Sequence, residues 1–412
     1  MPMISAFVRR IMLIAGLAVM LPAPAIALSH MGAVEREEHQ GQVILHRQVC
    51  ARNPLPGHMH CHAHMRVNAQ GAPLRGRAVA SAAVSALVPA GYGPADLRSA
   101  YKLAVRGAAT TLVAVVDAYG YPNAEADLAV YRKQYGLPPC TVASGCLTVV
   151  NQRGGSTQPK SDVGWAQEQA LDLDMVSAMC PNCRLLLVQT DDDSTDNLAA
   201  GVSRATILHA NAISNSYGGD EGGTHGYSPI YHVKGVAITA SGGDAGYGVE
   251  FPASAPYVIA VGGTKLTPAT GTARGWKEVV WAKSGSGCSK VFFKPSWQDD
   301  TLCTKRMMND VSVVGSPATG VATYGPVGPI GTSDWMIFGG TSVGAPLVAG
   351  IYAAAGAAPT GARSLWLKRQ WLYDVTLGSD GTCGGTYFCT AEAGYDGPTG
   401  NGVPHGKGAF QR

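Results

Sequence analysis

The chain is predicted to fold as an α/β protein of three layers, a mostly parallel central sheet with helices on both faces. From about residue 86 onward, short β-rich apolar runs alternate with helical segments, the pattern of a sheet buried on both sides. The 412 residues are 46% hydrophobic and 14% charged, enough apolar material for a large core and too little charge for a disordered chain. No internal repeat interrupts the pattern, so one domain over 86–412 is expected, with its site on loops at the strand ends.

The elements follow in order. Residues 1–27 carry Arg9 and Arg10, an apolar run from Ile11 to Leu21, then Ala25-Ile26-Ala27, the three-part layout of an export signal. The run is short of the ~20 residues that span a bilayer, so no membrane anchor is expected and the location should be extracellular or periplasmic. Residues 28–85 lack sustained periodicity and read as a leader or short pro-segment. Its histidines His58, His60, His62 and His64 alternate around Cys61, a pattern better explained by a solvated loop than by a metal site. Strands are predicted at Leu112 to Asp117, Leu185 to Thr190, Ala212 to Tyr217, Gly235 to Ser241 and Tyr257 to Gly262. Helices are predicted at Asn123 to Tyr135, stopped by Gly136 and Pro138, at Gly164 to Met179, and at Val343 to Ala355.

Ten cysteines fall into sequence-adjacent couples, 50/61, 140/146, 180/183, 288/303 and 383/389, and local staples are the simplest pairing in an exported chain. The net charge of +3 is unclustered, which argues against nucleic acid as a partner.

Gly339-Gly340-Thr341-Ser342-Val343-Gly344-Ala345-Pro346 places a serine hydroxyl at the start of a small-residue apolar helix. Glycines there admit a close approach of substrate, and the free amides favour the charge of an attacked carbonyl. Such a serine can equally be a helix cap, so it needs a base. Glu168-Gln169-Ala170-Leu171-Asp172 offers two carboxylates at i and i+4 on one helix face. That helix is apolar nearly all round, where carboxylates are costly unless they share a proton or partners.

Gly-Thr-Ser-x-x-x-Pro with an upstream Glu-x-x-x-Asp resembles the sedolisin family of serine-carboxyl peptidases, whose fold is subtilisin-like. Asp96 to Tyr101, Val115 to Tyr119 leading to Pro122-Asn123-Ala124-Glu125, Ser214 to Gly219 and Ser241 to Gly246 follow in family order, so the resemblance covers roughly residues 86 to 412. It implies a serine-type endopeptidase, with tripeptidyl-peptidase activity as a variant, in which Ser342 is the nucleophile, Glu168 its general base, Asp172 the acid that orients Glu168, and Asp244 the protonated carboxyl of the oxyanion hole. Asp174 and Asp117 then count as bystanders, the first turned about 120° from Glu168 on the helix, the second a strand-end acid. The resemblance also implies one calcium ion per catalytic domain, held by Asp374 and Asp396 with Val375, Glu392 and Gly394, and a monomer acting on proteins and peptides. The chain departs from the family at Gly339, where Ser is usual, and at Asn309-Asp310, where Pro precedes the acid. Residues 28–85 are also too few for the family's large pro-domain.

Two other readings compete. Asp117, His225 and Ser342 stand in the chain order of a subtilisin-like triad, although His225 lies in a glycine-rich loop. A secreted, inactive peptide-binding homologue would lack a catalytic residue, and all four are present.

Overall fold

The computed structural model describes residues 31–50, 55–75, 89–104, 108–356 and 361–411. The export signal expected over 1–27 lies outside them. Strands β1 (Glu35–His39) and β2 (Gln42–Gln48) open the described chain, then the short β3 (His60–Cys61) and β4 (His64–Arg66). Helix α1 (Pro94–Ala100) leads to β5 (Leu112–Ala118), α2 (Ala124–Gln134), β6 (Leu147–Asn151), α3 (Val163–Met179), β7 (Arg184–Thr190) and α4 (Thr195–Ile207). Next come β8 (Ala212–Asn215), β9 (Tyr217–Gly218), β10 (Ala237–Ser241), β11 (Ile259–Pro268) and β12 (Trp276–Val280). The hairpin β13 (Gly287–Phe293) and β14 (Lys305–Met308), then β15 (Val311–Val314), β16 (Val321–Pro326), β17 (Ser333–Gly339) and α5 (Gly344–Ala355) complete the frame.

The central sheet runs β12-β11-β10-β8-β5-β7-β6, with β15 also paired to β11. All its pairings are parallel except that of β12 with β11. Every residue of β5 is buried, because successive side chains meet helices on opposite sides. Val116 packs on α4, where a Cβ at Gly201 would come within 2.7 Å of its Cγ1. The next residue, Asp117, faces the carboxylates of α3. Helices α3 and α5 pack together on that side. A Cβ at Gly350 of α5 would lie 2.9 Å from the Cβ of Met179, so the small residues of α5 let the two backbones close up.

The predicted α/β layering is therefore present, with local differences. Helix α3 starts one residue earlier than predicted, and the Asp162 carboxylate caps it by accepting the Trp165 N–H at 3.0 Å. The run expected as one strand from Ala212 to Tyr217 is broken at Ser216, and Tyr217-Gly218 turns away as β9 to pair with β3. Helix α4 had no sequence expectation, although Ser194 stands at its N-cap and accepts the Asn197 N–H.

The N-terminal segment contributes more order than its composition suggests. Strands β1, β2 and β4 join β17 and β16 in a second sheet, wholly antiparallel, in the order β1-β2-β4-β17-β16. Val49, Met59, Ala63, Met65 and Val67 are buried in the same core as α3 and α5. All ten cysteines are paired as the sequence-adjacent couples, leaving none free.

Candidate active site

Ser342 sits in the single turn that joins β17 to α5, and it is wholly buried. Gly340, two residues earlier, has φ of 95°, and a Cβ there would lie 2.7 Å from Asp244 Oδ2. Only glycine lets the chain turn while that carboxyl comes so close. Asp244 follows the end of β10. Its Oδ1 accepts both the backbone N–H (2.8 Å) and the hydroxyl (2.7 Å) of Thr341, the residue before the serine. Its Oδ2 accepts no hydrogen bond. Burial raises its pKa to about 6, opposed by the charge of His62 and the Thr341 bonds.

Helix α3 brings Glu168 and Asp172 beneath the serine. Residues 164–179 are buried without exception, as the all-round apolar sequence implied, and both carboxylates are fully enclosed. Asp172 is held by Ser216, whose hydroxyl is 2.7 and 2.9 Å from its two oxygens. Burial, then the charges of Asp172 and Asp117, drives the Glu168 carboxyl well above the usual carboxylate range, and the Ser342 hydroxyl is near enough to oppose that rise. Neither Glu168 oxygen has a partner at hydrogen-bond geometry, because the Ser342 hydroxyl donates instead to the Ser216 carbonyl at 3.2 Å. Burial likewise drives Asp172 upward, with Asp117 adding to it. The four residues singled out in the sequence are thus brought together around one point.

Asp117 was set aside as a strand-end acid, but the structure puts it inside this cluster. It is fully buried, neither of its oxygens is hydrogen-bonded, and burial lifts it to about 8. The alternation of β5 accounts for this once the structure has placed Val116 against α4, because its neighbour must then face α3. Asp174, by contrast, does point away, accepting the Tyr324 N–H at 3.0 Å on the β16 side. His225 is exposed and stacks on Phe292, with ring centroids 6.1 Å apart, while Asp117 keeps company with Glu168 and Asp172, so no Asp-His-Ser relay is assembled.

The serine site is not open. Ser342 donates its backbone N–H to the carbonyl oxygen of His62 at 3.2 Å, and β3 and β4 lie on either side of that contact. The His62 ring sits between Ser241 Oγ (2.7 Å from Nδ1) and Glu250 (2.8 Å from Nε2).

In the C-terminal region, the Asp396 side chain accepts the N–H of Glu392 at 3.1 Å, and Asp374 accepts the N–H of Gly394 at 2.9 Å. Burial raises Asp396 to about 7, and the charge of Asp374 contributes. Among the described residues, no helix is long and apolar enough to cross a membrane.

The subtilase family profile matches residues 154–366, which contain Glu168, Asp172, Asp244 and Ser342. The chain belongs to the subtilase family. Kumamolisin of Bacillus sp. (strain MN-32) is 27% identical over 365 residues, 77% of this chain and 63% of that protein. Sedolisin of Pseudomonas sp. (strain 101) is 29% identical over 41% of this chain, and human tripeptidyl-peptidase 1 is 30% identical over 42%. All three relatives are sedolisin-family members. The chain spans 63% of the length of kumamolisin and about a third of the other two. The solved structure of Pseudomonas sedolisin, complexed with pseudo-iodotyrostatin, superimposes with a TM-score of 0.65 over 77% of this chain and 96% of that one, at 24% identity, and shares the subtilase fold.

Proposed function

We propose that this subtilase is an exported, acid-active serine-carboxyl peptidase that hydrolyses peptide bonds of proteins through an acyl-enzyme. The observation that carries the reading is the meeting of Ser342 with three buried carboxyls, Glu168, Asp172 and Asp244, each raised in pKa by burial. Ser342 Oγ attacks the scissile carbonyl while Glu168 takes its proton. Asp172, anchored by Ser216, sits beside Glu168, and one proton shared between them avoids two adjacent negative charges. The new oxyanion receives hydrogen bonds from the Ser342 N–H and from Asp244, which donates only while protonated. Collapse expels the amine, and water releases the acyl group by the same groups in reverse. The working form has Asp244 neutral and a single proton on the Glu168–Asp172 pair, which leaves Glu168 able to act as base, so activity belongs to acid pH.

One calcium ion is proposed for the C-terminal loops. Asp396 is buried near a second carboxylate, Asp374, an arrangement that a divalent cation relieves. Backbone carbonyls of Val375, Glu392 and Gly394 would complete a set of hard oxygens. The ion would tie the loops together and take no part in the chemistry.

The deciding experiment is hydrolysis of denatured casein from pH 3 to 8 by the purified protein, by Ser342→Ala and by Glu168→Gln. Turnover confined to acid pH, abolished in the first variant and lowered by several orders of magnitude in the second, is expected. Retained turnover in Ser342→Ala would overturn the reading.

A further inference from the structure

The alternating histidines, expected in a solvated loop, are buried: His60 is 7% exposed, His64 1% and His62 not at all. In extended backbone, side chains two residues apart share a face, and both His60 and His62 turn toward Glu250, on the loop that follows β10. His62 Nε2 lies 2.8 Å from Glu250 Oε2, and His60 Nε2 lies 3.9 Å from the same oxygen. One nitrogen from each ring and one carboxylate oxygen all fall within 4.8 Å of one another. Ligands of a tetrahedral ion, each about 2.0–2.1 Å from it, stand about 3.3 Å apart. The two distances bracket that value, so small side-chain rotations close the set.

The surroundings hold these groups in place. Strand β3 pairs with β9, His60 opposite Gly218. Gly219 exchanges backbone hydrogen bonds of 2.9 and 3.0 Å with Phe251, the neighbour of Glu250. The chain at 218–219 therefore positions the histidines on one side and the carboxylate on the other. No side chain fits at 218, where a Cβ would lie 2.6 Å from both Glu250 Oε2 and His62 Cε1. His62 Nδ1 is 2.7 Å from Ser241 Oγ. With the ring proton on Nδ1, that bond aims the Nε2 lone pair at the Glu250 side, the way a metal-bound imidazole is oriented by a partner on its other nitrogen. His60 and Glu250 also line a cavity of about 660 Å³, shared with Asp220, from which water can supply a fourth ligand.

We infer that His60, His62 and Glu250 form a binding site for a divalent transition metal, zinc foremost. Two imidazoles and one carboxylate suit Zn2+, whereas Ca2+ takes about six to eight oxygens. The ion takes the place of the proton between His62 and Glu250, and it fastens the N-terminal segment to the loop that carries Asp244. A second cluster, Glu35, His46 and His64, also brings three ligand atoms within 4.8 Å. There the Lys283 ammonium is paired with Glu35, and the two rings already face each other through their Nδ1 atoms at 3.0 Å, so an incoming cation would meet a positive charge. The inference goes beyond the peptidase reading and does not depend on it.

The test is calorimetric titration of the full chain with Zn2+ at pH 7, in excess Ca2+ to fill sites made of oxygen alone. Ser342→Ala serves as the parent, so that proteolysis cannot consume the ligands. One Zn2+ per chain is expected. Adding His60→Ala, which leaves the contact of His62 with Glu250 in place, should weaken binding at least about tenfold, since losing even an orienting hydrogen bond to a ligand costs that much. Adding His46→Ala should leave affinity unchanged. Full affinity in the His60→Ala chain would overturn the inference, as would an equal loss in the His46→Ala chain or the absence of stoichiometric binding to the parent. X-ray absorption of the zinc-loaded parent needs no further variant: imidazole scattering is expected around the metal, and a shell of oxygen alone would overturn the assignment however the variants fold.

Discussion

Two donors from Thr341 converge on one oxygen of Asp244 and leave the other oxygen facing the oxyanion corner. A carboxyl so placed is useful as a donor only below its pKa of about 6. Activity should therefore fall as pH rises through 6. Asp244→Asn keeps a donor of similar size that does not ionise, so the variant should be slower at pH 4 yet lose less on the alkaline limb, as a pH profile of kcat/KM would show. A limb that superimposes on the wild type's would remove Asp244 from this role. Asp174→Asn, on the far side of the same helix, should leave kcat near that of the wild type, because its carboxyl bonds to Tyr324 and not to the serine cluster. The i, i+4 spacing of Glu168 and Asp172 made this face legible in the sequence. The contribution of Asp117 was hidden, because it depends on which side of β5 meets α3, and periodicity cannot assign sides to a strand that is buried on both.

Among the elements, α4 and α5 show what glycine does in a helix that must touch its neighbour. A Cβ at Gly201 would meet Val116 Cγ1 at 2.7 Å and Thr190 Cγ2 at 2.8 Å. Gly201→Val adds two further methyl groups into that space and should cost about 1–3 kcal/mol by overpacking. Chemical denaturation would read it as a lower midpoint at unchanged slope, while activity per folded molecule stays the same, since α4 lies across the sheet from α3. The central strands and α3 were readable because length, caps and apolar runs all agree there. The short strands β3 and β4 were not, because they are two and three residues long and pair with β9 and β17 more than a hundred residues away. Short-range pattern carries no trace of such a partner.

For the whole molecule, the buried carboxyls dictate how stability responds to pH. Asp244 and Asp117 have folded pKa values of about 6 and about 8, above the ~4 of an unfolded aspartate. Between those limits the unfolded chain has already lost protons that the folded one retains, so the stability contributed by these groups is complete below pH ~4 and declines as pH rises to about 8. Urea unfolding at intervals from pH 4 to 8 should show that decline, and Asp117→Asn should flatten its upper part. The proposed calcium site is tested separately: an ion held by Asp374 and Asp396 in the folded state alone would make chelation lower Tm by mass action, with metal analysis returning one calcium ion per chain, and a Tm that ignores chelator would count against those ligands.

The disulfides have a consequence for the order of events at synthesis. Their partners are separated by only 3, 6, 6, 11 and 15 residues. The first cysteine of each couple is followed directly by its partner, so in an oxidising compartment each loop can close before any later cysteine is present to compete. A chain that crosses a membrane from its N-terminus can thus acquire all five bonds in sequence order. The same ten cysteines, offered all at once to a reduced and unfolded chain, have many wrong partners to choose from.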